Sequence, residues 1–172
     1  MTPEQWQLIL GLVVLPGGNP RPRPTTEELL SAFGAENGPD LCRSLLIHAV
    51  GDRSSEDVEG ALILSGTLGL DRASLPLLQD LVRQTWHTQH EGILEELLRL
   101  GGDDAVVDLE FLAWAGPEFQ NYEGSTSLAK KAVHGLERIA TPAAREALGR
   151  LGDHPEKDVR DLVERVQMRM KG

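Results

Sequence analysis

Residues 90–101, HEGILEELLRLG, decide the fold. Ile93, Leu94, Leu97 and Leu98 recur at helical spacing, and the closing glycine suits a helix C-terminus. The same phrase stands earlier at 58–69, VEGALILSGTLG, and later at 129–140, AKKAVHGLERIA. Gly69 to Gly101 is a step of 32 residues and Gly101 to Ala140 a step of 39, so the second step carries an insertion of seven. Each copy is followed by a turn and a second amphipathic stretch. A period in this range marks a repeat architecture, in which each helix pair covers its apolar face with its neighbours.

Working outward, apolar spacing predicts helices near 40–50, 55–69, 73–86, 89–100, 104–115, 127–139, 142–151 and 156–170. Asp71, Asp103 and Thr141 follow Gly69, Gly101 and Ala140 as first-turn or capping residues. Upstream, residues 3–15 read as a first helix. Residues 16–24, PGGNPRPRP, form a loop or tether, because four prolines and two glycines suit neither helix nor sheet interior. Thr25, Thr26, Glu27 and Glu28 then read as a helix start, with Leu29, Leu30 and Phe33 as its apolar face and Gly34 as its end. No alternating strand pattern occurs. The expected organisation is one domain over 1–172, with an irregular cap at 1–54 and repeats over 55–170.

The chain has 172 residues, 40% of them hydrophobic and only 4% aromatic, which fits Leu/Ala/Val helix packing better than a β-sandwich. The single Cys42 excludes an internal disulfide; its apolar setting, LCRSLLIHAV, predicts a buried, inert thiol in a reducing compartment. Residues 8–15, LILGLVVL, lack the basic flank and small-residue cleavage site of a signal peptide. No stretch reaches the ~20 apolar residues of a membrane span. A cytoplasmic location is expected. Net charge is −10 and unevenly spread. From Glu91 to Glu123 nine acids face Arg99 alone, a net of −8, whereas residues 124–172 carry ten bases and seven acids, a net of +3. Such a field repels nucleic acid and attracts cationic partners; equally, it can serve only to keep the protein in solution.

The helix, Gly/Asp turn and second helix at fixed period resemble the HEAT-repeat family over roughly residues 55–170. The elements that carry this are Leu68-Gly69-Leu70-Asp71 before Leu75-Pro76-Leu77-Leu78, Arg99-Leu100-Gly101 before Asp104-Ala105, and Ile139-Ala140-Thr141-Pro142 before Ala147-Leu148. The chain departs from the family pattern in the segment 116–127 and in having Ala140 where glycine is usual. The resemblance implies an all-α, right-handed α-solenoid with a divergent N-terminal cap, whose inner helices 55–69, 89–100, 127–139 and 156–170 line a concave binding face. Trp86-His87-Thr88-Gln89-His90-Glu91, Asn121-Tyr122-Glu123 and Ser127-Leu128-Ala129-Lys130-Lys131 are similar to small bacterial HEAT-type proteins associated with polymorphic-toxin immunity.

The motif HExxH fails at Leu94, which stands where the second histidine would be. His87, His90 and Glu91 fall at i, i+3 and i+4, close enough to share a metal, or else they serve a helix junction and its first turn. The 39-residue step aligns His134 with Glu95; with Glu91, Lys130 and Lys131 they form either a docking stripe or a solvated helix face. In the insertion, Tyr122 and Glu123 are candidate partner contacts, the alternative being that Phe119 and Tyr122 fold back over the core. No nucleophile elbow, phosphate loop or dinucleotide fingerprint is present. Trp86, His87, His90, Glu91, Glu95, Tyr122, Glu123, Lys130 and His134 are therefore the expected partner-binding residues. No catalytic residue, cofactor, nucleic acid or membrane contact is expected. The expected function is non-enzymatic binding of a basic protein, in its narrowest form an immunity-type inhibitor of a toxin domain, with Glu91, Glu95, Glu96, Asp103, Asp104 and Glu110 meeting its cations. A scaffold or regulatory subunit for a cytosolic enzyme is the second reading, and a metal-dependent or lyase-like enzyme centred on His87, His90 and Glu91 the third.

Overall fold

The computed structural model describes residues 1–13, 22–116, 119 and 126–170. Among these the structure is all helical, with no strand. No described helix is long and apolar enough to cross a membrane. The chain gathers into two compact units, Met1–Leu77 and Leu78–Gly172.

In the first unit, α1 (Pro3–Leu10) opens with a capping box: Thr2 accepts from the Gln5 amide at 3.3 Å while Gln5 Oε1 accepts from the Thr2 amide at 2.9 Å. The expected start at Thr25 is a second such box, Thr25 with Glu28, and it opens α2 (Thr26–Phe33). Gly34 ends that helix at φ 62°, the left-handed region that costs glycine least. Helix α3 (Gly38–Asp52) is capped by Asn37 and α4 (Ser55–Leu68) by Ser54. Helix α4 packs against α1 and α3, and α2 packs against α1 and α3. Ile9, Leu29, Leu46, Ala49, Val58, Ala61 and Leu64 are fully buried between them, and Cys42 is buried with them in α3. Each buried Leu or Ile removes apolar surface worth roughly 1.5–3 kcal/mol. The expected loop at 16–24 lies outside the described residues up to position 21.

A 3-10 turn, Arg72–Ser74, leads into α5 (Leu75–Leu81), within which the two units meet in sequence. The expected helix 73–86 stops at Leu81, and 82–89 are turn, bend and irregular backbone. The second unit continues with α6 (His90–Leu100), a 3-10 turn Gly102–Ala105, α7 (Val106–Trp114), α8 (Ser127–Ile139), α9 (Pro142–Arg150), a 3-10 turn Leu151–Asp153 and α10 (Lys157–Arg169). Alternate helices pack on one another here: α8 touches both α6 and α10, and α7 touches α9. Successive helices α7, α8, α9 and α10 also pack in turn. Ile93, Leu97, Leu109, Leu112, Val133, Leu136, Val159 and Val166 have no measurable exposure, so the apolar stripes read from the sequence are the ones that meet.

Candidate functional site

The second unit holds a buried ring cluster at the junction between α5 and α6. At and just past the end of helix α5, imidazoles bond the carbonyls of Leu81 and Gln84. His87 Nδ1 accepts from the Gln89 amide at 3.2 Å, which places its proton on Nε2, and that nitrogen donates to the Leu81 carbonyl at 2.9 Å. One ring thus joins the end of one helix to the start of the next. His90 Nε2 donates to the Gln84 carbonyl at 2.8 Å, while its Nδ1 has no partner among the described residues. The two rings stack with centroids 4.5 Å apart. Trp86 meets His87 edge-on at 5.0 Å, Phe119 meets His90 at 5.1 Å, and Phe111 meets Phe119 at 5.3 Å. Both histidines are only 2% exposed, and burial lowers both pKa values, that of His90 to about 4. They are neutral groups of the core.

This arrangement bears on a metal-centred chemistry. His87 uses both ring nitrogens, and Glu91 turns away to α8, accepting from Lys131 Nζ at 2.6 Å and Ser127 Oγ at 3.2 Å. The three residues do not converge, and among the described residues no group of three potential ligands does. Phe119 folds back onto the core as one of the two readings of that loop requires; Tyr122 and Glu123 lie outside the described residues.

The remaining expected residues fall on the face shared by α6, α8 and α10, where charged pairs step from helix to helix. Glu91 pairs with Lys131, Lys130 with Asp158, and Glu137 with Arg169 at 2.8 Å. Thr126 adds a 2.8 Å bond to Asp158. Lys130 first, and then Thr126, hold the Asp158 carboxyl below its usual range; Arg169 does the same for Glu137. His134 lies beside Glu137 at 3.1 Å. Glu95 is exposed and has no ion-pair partner among the described residues.

Several neighbours escaped the sequence reading. Asp108, counted there as one acid among nine, is 2% exposed and bound by Arg83 at 2.5 Å and Gln79 at 2.7 Å. Arg83 also lies over the Phe111 ring, 5.3 Å from its centroid. His154 repeats the part of His87: its Nδ1 accepts from the Glu156 amide at 3.1 Å and its Nε2 donates to the Ala113 carbonyl at 3.0 Å. Each of the two stands three residues before the first residue of a helix, His87 before α6 and His154 before α10. That shared register was the available signal. No protein-family model, curated protein or solved structure matches the chain.

Proposed function

We propose that the helix pairs form a HEAT-like solenoid and that the chain is a non-enzymatic module binding a protein partner along the face of α6, α8 and α10. The observation that carries this reading is the alternate packing of α6 on α8 and α8 on α10, which lays three polar helix faces side by side. Those faces present charged groups at regular intervals over a buried Leu/Val layer. A row of that kind offers an extended surface rather than a reaction centre. The imidazoles that could have served chemistry are neutral and engaged in holding turns.

A basic protein domain is the partner this face fits, with immunity-type neutralisation of a toxin as the narrowest form. The acids available for it are fewer than the sequence suggests. Glu91, Glu96 and Glu110 are paired with Lys131, Arg99 and Arg150, whereas Glu95 stands open on α6. Affinity capture from native cells with the wild-type chain and with Glu95→Lys, at low and high salt, tests the reading. A basic protein held by the wild type, released by salt and retained about tenfold less by the variant is the expected result. Equal retention by both proteins, insensitive to salt, would sink it.

A further inference from the structure

The first unit carries a groove of its own, of about 750 Å³, between α1 and the N-terminal half of α4. Its floor is apolar. Trp6, Leu10 and Val13 come from α1 and the residues just after it, and Ile63 faces them from α4. Leu10 is 48% exposed and Trp6 half-buried, and the Trp6 indole N–H has no partner among the described residues. Gly60 makes room for both Met1 and Trp6: a Cβ added there would stand 2.5 Å from Met1 Cε and 3.1 Å and 3.2 Å from Trp6 ring atoms, so the edge of the indole lies against the α4 backbone. Glu56, Asp57 and Glu59 form the rim, and among the described residues no basic side chain lines the groove. Asp57 is held at 3.3 Å by the amino group of Met1, which leaves Glu56 and Glu59, both exposed, without cation partners among the described residues.

We infer that this groove is a docking site for a short basic amphipathic segment of a partner protein. Apolar side chains of the segment fill the space between Trp6, Leu10 and Ile63, and its Lys or Arg residues meet Glu56 and Glu59. A half-buried indole beside two exposed acids without cation partners among the described residues favours a segment that is apolar on one side and cationic on the other. The groove volume falls in the range that takes a few side chains of a ligand rather than a whole domain, so the occupant is a segment. Helix α1 is 8 residues long and presents its open edge at helical spacing, which suits a helical segment laid beside it. The inference stands apart from the face of α6, α8 and α10 and shares no residue with it.

The test titrates the whole chain into a fluorescein-labelled peptide of about twelve residues, with Leu at helical i, i+3, i+4 and i+7 spacing and Lys elsewhere. Saturable binding is expected, with a change of tryptophan emission that Trp6→Leu abolishes. Glu56→Lys with Glu59→Lys weakens it by about tenfold or more, as does replacing the peptide's Lys by Glu. Both reversed acids are exposed, so the doubly substituted chain keeps its fold. Glu95→Lys leaves this binding unchanged, which separates its failure from failure of the reading in the preceding section. Equal binding of the two peptides, or indifference to the double reversal, would overturn the inference. So would a concentration-dependent dimer whose formation covers Trp6, which would give the groove to a second copy of the chain.

Discussion

His90 is a titratable group kept uncharged by its surroundings. Its ring lies between His87 and Phe119, and burial holds its pKa at about 4 against the ordinary 6.5. The unfolded chain therefore takes up the proton first as pH falls. This contribution to stability is full above the unfolded value of 6.5 and is lost as pH drops toward about 4. His87, also lowered by burial, acts in the same direction. Between about pH 6.5 and pH 5 the loss from His90 alone is on the order of 1–2 kcal/mol, a window mostly clear of carboxylate titration. Urea unfolding across that range is expected to show this slope in the wild type and a shallower one in His90→Phe. A second residue-level expectation concerns Ala140, which ends α8 at φ 56°. The two earlier copies of the repeated phrase end on glycine, and the structure gives the alanine in the third a cost. Ala140→Gly relieves a left-handed alanine and is expected to raise unfolding free energy by about 0.5–1 kcal/mol.

At the scale of elements, the close approach of α3 to α4 depends on Gly38. A Cβ there would lie 2.7 Å from Leu68 Cβ and 2.8 Å from the Leu68 carbonyl oxygen. One of these is backbone and cannot swing aside. Gly38→Ala is expected to separate the two helices and cost about 2 kcal/mol by chemical denaturation, more than helix propensity would return. Much of this level was legible beforehand. The reading 127–139 coincides with α8, and Thr25, Gly34 and Thr141 cap or end helices as their chemistry suggests. The failure at 73–86 is instructive. Helix α5 stops at Leu81, and past it ring nitrogens six residues further on bond the carbonyls of Leu81 and Gln84. Apolar periodicity does not register a side chain that replaces a backbone donor. The same blindness hid His154 and its bond to Ala113, 41 residues away in the chain.

Over the whole molecule, the sequence reports how charge is distributed but not which charges remain open. Of the nine acids between 91 and 123, Glu91, Glu96, Asp108 and Glu110 have cations at 2.5–2.6 Å. The partners of Glu91 and Glu110 come from 40 residues downstream, separations that no local pattern reveals. Field strength near Glu95 is therefore set by the fold, and any salt dependence of partner association will be smaller than the sequence sum of −8 implies. The groove beside Trp6 was equally hidden, because its two walls lie some 50 residues apart and its apolar floor looked like ordinary helix core.

The charged pairs that step across α6, α8 and α10 have one more consequence. Each has at least one member well open to solvent, as with Glu91 at 40% and Lys131 at 42%, and surface pairs of this kind contribute at most about 1 kcal/mol. The layer beneath them, Val133, Leu136, Val159 and Val166, carries the cohesion and takes no part in the charge pattern. Transposing the two members of a pair would invert what that patch displays while leaving the architecture standing. Lettering and page are separate here: descendants of this chain could be rewritten for new readers without rebinding the book.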